Sequence, residues 1–265
     1  EEASRFGIVH VGESYQVTSF VEKPKLPPST LANMGVYLFN AKVLDKVLWE
    51  DHSNPISSHD FGKDIIPKMI ADKFNIFAYP YSGYWVDVGT TQSYWQAHMD
   101  LLRNPPPINL NNRSWVIHTR TEERPPVYIA GDANIRNSMI TDGCVISENT
   151  EIVDSILSPG VVVQPGAKIY KSIILTVSKI GRNCQISCAI VDKRVTIGQS
   201  VKIGELQEGK PMVTTVGKAC VIPDNMIIEA GAALDIELGP ADFQSNLVKR
   251  NEVILRSGKQ YDGNS

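Results

Sequence analysis

Between residues 129 and 203 every step of six, five or six residues lands on an aliphatic side chain, and nothing else in the chain restricts its fold as tightly. The stops are Ile129, Ile135, Ile140, Ile146, Ile152, Leu157, Val163, Ile169, Ile174, Ile180, Ile186, Val191, Ile197 and Ile203. Three steps sum to 17, so Ile140, Leu157, Ile174 and Val191 share one column. Ser138, Ser155, Ser172 and Ala189 form a second column, and Met139, Ile156, Ile173 and Ile190 a third. Ile, Leu, Val and Met are 27 of the 77 residues from 127 to 203, far too few for fourteen consecutive aliphatic stops to follow from composition.

An α-helix repeats every 3.6 residues and a half-buried strand every two, so neither produces this spacing. Three short strands per turn, each sending one aliphatic residue inward, do produce it. The result is a triangular prism of parallel β-sheets whose coils stack about 4.8 Å apart. Gly and Asn fall where the corners would lie, at Gly143, Asn149, Gly160, Gly166, Gly181, Asn183 and Gly198. After an interruption at 204–214 the step resumes at Val216, Ile222, Ile228 and Leu234, so the insertion is expected to loop out of one coil. Hexapeptide repeats of this kind resemble the left-handed β-helix family. The handedness comes from that resemblance and not from the spacing.

A chain of 265 residues with 42 % hydrophobic content is long enough for two cores. Its net charge of −3 argues against a general nucleic-acid or anionic-membrane surface. No apolar run approaches the ~20 residues of a membrane span, and no signal peptide is evident. Cys144, Cys184, Cys188 and Cys220 all lie in the repeat half without a zinc-ligand pattern, and read as reduced packing or corner residues. These features together lead us to expect a cytoplasmic protein.

The first part of the chain reads as α/β. Strands are expected over 15–22, 35–39, 75–79 and 84–88, with 35–39 an unbroken apolar run suited to burial on both faces. Helices are expected over 41–50, over 60–73 with Asp60 as N-cap, and from Thr90 to Arg103 with Thr90 as cap. Asn104-Pro105-Pro106-Pro107 closes this part. The domains are therefore 1–104, a linker over 105–126, and the β-helix over 127–265.

The residues that could carry chemistry lie in the first domain. Phe20-Val21-Glu22-Lys23-Pro24 sets an acid beside a base where a strand ends, and open α/β sheets bind ligands beyond strand carboxyl ends. A carboxylate suits sugar hydroxyls and an ammonium suits a phosphate, although such a pair standing alone is more often a solvated surface pair. Asp87, within Tyr84-Trp85-Val86-Asp87-Val88-Gly89, has apolar neighbours that suggest burial, and buried carboxylates are paired or hold a metal. Asp60-Phe61-Gly62 matches the kinase metal tripeptide, but no catalytic-loop HRD or glycine-rich loop accompanies it. None of the five histidines falls inside the β-helix, which counts against a β-helical acyltransferase; His59 reads as a local hydrogen-bonding residue.

The blocks FVEKP (20–24), LANMGVYLF (31–39), SHDFGKDIIP (58–67), GYWVDVGT (83–90), SYWQAHMDLL (93–102) and WVIHT (115–119) occur in this order, followed by Arg124-Pro125-Pro126. With the β-helix, they make the chain resemble the carboxyl-terminal three-fifths of the glucose-1-phosphate adenylyltransferase (ADP-glucose pyrophosphorylase) family. That resemblance implies a partial nucleotidyltransferase Rossmann-like domain and attack of glucose 1-phosphate on the α-phosphorus of ATP. It implies that Glu22 holds glucose hydroxyls, that Lys23 holds the sugar phosphate, and that Asp87 shares a Mg²⁺ with a second Asp outside this sequence. It also implies a metabolite-regulated homotetramer in which the β-helix assembles subunits. Asn33 stands where the family commonly has Ser, which bears on sugar binding. The glycine-rich loop GGxGTRL that makes the ATP site is absent from these 265 residues, so the polypeptide by itself is expected to be inactive. A noncatalytic regulatory paralogue and a sister pyrophosphorylase for another nucleotide sugar are the alternatives.

Overall fold

Apolar runs broken by prolines and glycines pair with strands close by in sequence, and the start of the chain folds in this way. The computed structural model describes residues 2–119 and 122–256. They fall into two units, Glu1–Gly83 and Tyr84–Ser265. In the first unit β1 (Gly7–Val11), β2 (Val17–Glu22) and β3 (Leu31–Ala32) form an antiparallel sheet in the order β2-β1-β3. Helix α1 (Ala41–His52) is capped by Asn40, whose side chain accepts the Lys42 N–H at 3.0 Å. The expected single helix from Asp60 is instead a π-helical turn, Phe61–Ile65, running into α2 (Ile66–Ala71). Pro67 has no N–H to bond four residues back, and Ile66 N–H reaches the Phe61 carbonyl. Val47, Ile65 and Met69 form a small core with Phe39, Val43, Phe61, Phe74 and Ile76 around it.

Several expected strands are not built. Residues 35–39 make no ladder, and Val36 and Leu38 are 79 % and 103 % exposed rather than buried on two faces. An apolar run becomes a central strand only when strands lie on both sides of it, and among the described residues none pairs with this one. Residues 75–79 make a single antiparallel bridge, Phe77 to Gln16, and 84–88 are extended without a ladder.

The second unit is a parallel β-helix, built in the register of the repeat. One sheet of six strands runs from Tyr128–Ile129 to Val221–Ile222. Two sheets of seven run from Asn134–Arg136 to Leu247–Val248 and from Met139–Ile140 to Val253–Ile254. Ile140, Leu157, Ile174, Val191, Val216 and Leu234 pair in succession along one of them. Most inward stops, among them Ile146, Ile152, Leu157, Ile169, Ile174 and Ile186, are 0 % exposed. Each such side chain contributes roughly 1.5–3 kcal/mol through burial. The final coil, carrying Val248 and Ile254, extends the ladder beyond Leu234, the last stop expected from the sequence.

The other two columns also have physical causes. Ser138, Ser155 and Ser172 accept the backbone N–H of the next coil, at Ser155, Ser172 and Ala189, at 3.1, 3.1 and 3.2 Å. Each hydroxyl thus satisfies a corner amide that the sheets leave over. Ile173 and Ile190 face outward and are covered by Trp95 of α3 (Thr91–Asp100), whose Nε1 donates to the Lys171 carbonyl at 2.7 Å. Thr90 caps α3, with Ser93 N–H on its hydroxyl and its own N–H on the Ser93 hydroxyl, both at 3.1 Å. All four cysteines are free and buried. Cys144, Cys184 and Cys220 donate their thiols to carbonyls of the neighbouring coil, and burial pushes the thiols of Cys184, Cys188 and Cys220 up. No helix among the described residues is long and apolar enough to cross a membrane.

Candidate functional site

Strand β2 ends on Glu22, opposite Gly7 of β1, and the chain then turns sharply. Lys23 takes φ +46° and donates its N–H to the Phe6 carbonyl at 3.1 Å. Its side chain is 64 % exposed against 23 % for Glu22, with Nζ 3.7 Å from the Glu22 Oε1. An exposed pair at that distance holds Lys23 weakly, so the ammonium can turn to a phosphate at little cost. Two glycines make room for the carboxylate. A Cβ on Gly7 would come within 2.8 Å of Glu22 Oε2, and one on Gly62 within 2.6 Å.

Gly62 belongs to the π-helical turn, and Asp60 fixes that turn by accepting the N–H groups of Gly62 and Lys63, both at 2.8 Å. The Phe61 ring stacks on Tyr37 with centroids 5.6 Å apart and planes 18° apart. Asn33 Nδ2 donates to the Tyr37 hydroxyl at 2.6 Å, while Asn33 Oδ1 accepts the Gly35 N–H at 3.2 Å. Burial pushes the Tyr37 phenol up; the Glu22 and Asp60 carboxylates add to this, against the Asn33 hydrogen bond. Tyr37 is therefore neutral at physiological pH and keeps its proton for donation. The fold thus brings Glu22, Lys23 and Asn33 to one region and adds Tyr37 and Asp60. Sequence reading missed Tyr37, because it sat in an apolar run assigned to a buried strand. It found Asp60 only as a cap.

Asp87 lies in the other unit, in the extended run before Thr90, and is half-buried rather than enclosed as its apolar neighbours suggested. A Cβ on Gly89 would stand 3.0 Å from Asp87 Oδ2, so glycine there keeps one side of the carboxylate open. Nearby, Tyr84 donates its hydroxyl to Asp100 Oδ2 at 2.9 Å; burial and this bond push its phenol up to about 12. Among the described residues no group of three or more His, Cys, Asp or Glu gathers to hold a metal. Magnesium is usually held by one or two carboxylates with waters and phosphates completing its shell. Asp87 supplies the donor type that such a site takes, a half-buried carboxylate.

Residues 1–104 match the Nucleotidyl transferase family and residues 129–222 the GlmU-like, C-terminal hexapeptide family. A glucose-1-phosphate adenylyltransferase of Acetivibrio thermocellus is 38 % identical over 98 % of this chain and 62 % of its own length. The enzyme of that name from Desulforamulus reducens is 42 % identical over 88 % of the chain and 57 % of its own length. The one from Bacillus mycoides is 44 % identical over 74 % and 52 %. The chain thus spans between half and two thirds of the length of these relatives. A nucleotidyl transferase segment followed by a hexapeptide β-helix, with these identities running through both, makes the chain a homologue of the glucose-1-phosphate adenylyltransferases.

Proposed function

We propose that the complete protein forms ADP-glucose and pyrophosphate from ATP and glucose 1-phosphate, supplying glycogen or starch synthesis in the cytoplasm. The observation that carries this reading is the group at the end of β2. There a carboxylate (Glu22) and an exposed ammonium (Lys23) stand side by side, and the phenol of Tyr37 and the amide of Asn33 lie in the same part of the fold. Glu22 accepts hydrogen bonds from glucose hydroxyls, and Lys23 pairs with the sugar phosphate and screens its charge as it attacks. Tyr37 and Asp60 bound the sugar on the side of the π-helical turn. Asp87 is the carboxylate that would hold Mg²⁺, an ion that in such transfers neutralises the charge developing on the phosphates. The residues 1–104 carry the sugar phosphate, 105–126 link, and the β-helix of 127–265 joins subunits into a homo-oligomer.

The motif GGxGTRL does not occur in these 265 residues, and we infer that this stretch by itself does not form ADP-glucose. In the full-length protein Asp87→Asn lowers kcat by about two or more orders of magnitude. Lys23→Ala chiefly raises the KM for glucose 1-phosphate, by about tenfold or more. Steady-state kinetics with both variants checks this, and near-normal constants in both would remove the site. ADP-glucose synthesis by the 265-residue polypeptide would contradict its assigned inactivity. A regulatory, noncatalytic paralogue is favoured by one observation: both polar ends of the Asn33 side chain are already bonded within the protein. Turnover by the full-length protein removes that second reading.

A further inference from the structure

The first unit contains a buried carboxylate for which the proposed reaction has no use. Asp51, in the last turn of α1, is 7 % exposed and accepts the Ser57 hydroxyl at 2.6 Å and His59 Nδ1–H at 2.8 Å. The same Ser57 hydroxyl accepts the His59 backbone N–H at 3.0 Å, which closes a ring of three residues. His59 is held at φ +58°, in the left-handed region that a side chain with a Cβ avoids. Immediately after it, Asp60 caps the π-helical turn, and Ser58 donates its hydroxyl to Asp64 Oδ2 at 2.5 Å across the same turn. Gly62 is where that turn meets Glu22.

We propose that Asp51, Ser57 and His59 are a clasp that positions the 60–64 turn against Glu22, and so sets the sugar-phosphate pocket without touching its ligand. The inference rests on the reading of Glu22 as a sugar ligand. A left-handed non-glycine residue persists only where its surroundings over-determine it. Here two hydrogen bonds to one buried carboxylate do so. Released from them, His59 relaxes to an ordinary backbone conformation, the peptide entering Asp60 rotates, and Gly62 moves off the carboxylate. A histidine that only met solvent would have no need of that backbone geometry, whereas this one reaches Asp51 Oδ2 at 2.8 Å.

The test compares His59→Ala, His59→Asn and Asp51→Asn in the full-length protein. Asn tolerates the left-handed region and can still donate to Asp51. His59→Ala and Asp51→Asn should raise the KM for glucose 1-phosphate about tenfold or more and leave the KM for ATP within about twofold. His59→Asn should recover most of that loss, and amide exchange over 60–66 should quicken in His59→Ala. A KM for glucose 1-phosphate unchanged in both His59→Ala and Asp51→Asn would overturn the clasp as a positioning device, even with faster exchange. If His59→Ala does not fold, Asp51→Asn and His59→Gly carry the comparison. Should the unsubstituted full-length protein not use glucose 1-phosphate at all, the substrate reading fails by itself. Exchange over 60–66 then decides the clasp, faster exchange in the variants supporting it and unchanged exchange overturning it.

Discussion

At the scale of single residues, the corners of the β-helix are where the sequence departs most from comfortable backbone geometry. Gly143 and Gly160 hold φ values of +70° and +73° at successive turns of one corner, and Val177 holds +62° at the next. A β-branched side chain in the left-handed region is crowded against its own backbone. At 38 % exposure Val177 is only partly buried, which offsets part of this crowding but not all of it. Val177→Asn should therefore stabilise the β-helix by about 0.5–1.5 kcal/mol, read as a raised denaturation midpoint. The sequence foretold the Thr90 and Asp60 caps, because a cap depends on residues two or three positions away. The Asn33–Tyr37 bond and the neighbourhood of Tyr37 with Glu22 were not foretold, since they depend on a chain path that no local pattern encodes.

At the scale of elements, α1 is joined to the 57–60 segment through Asp51. Hydrogen bonds from Ser57, then from His59, hold the Asp51 carboxyl below the usual carboxylate range. A group whose folded pKa is depressed adds stability that is fully present above its unfolded value, about 3.9, and is lost as pH falls through the folded value. The advantage of the unsubstituted protein over Asp51→Asn in urea unfolding should accordingly be steady above about pH 5 and shrink below about pH 4. A difference independent of pH from 3 to 6 would refute it. The strands of the β-helix were legible one by one because each inward residue repeats under its neighbour. The run at 35–39 was misread because its apolar composition specifies burial but not what buries it.

At the scale of the whole molecule, the β-helix buries its core coil upon coil, so the worth of an inward residue depends on its place in the stack. Ile169 pairs with Ile152 on one side and Ile186 on the other and is 0 % exposed, whereas Ile254 is partly buried in the last coil. Ile169→Ala should cost about 2–5 kcal/mol and Ile254→Ala about 1 kcal/mol, measured by chemical denaturation. Equal costs would mean that the coils do not share their stability along the axis.

The coil interrupted at 204–214 has a consequence of its own. Val191 and Val216 are separated by 25 positions where Ile174 and Val191 are separated by 17, yet the two valines pair as if nothing had been added. Extra peptide inserted at a corner is shunted sideways, and the rungs above and below keep their alignment. A single residue spliced into the middle of a rung would turn the aliphatic side chains that follow it out to water. Descendants of this scaffold can therefore acquire new surface by lengthening bends, and a foreign epitope grafted near Gly209 should be displayed without loosening the column beneath it.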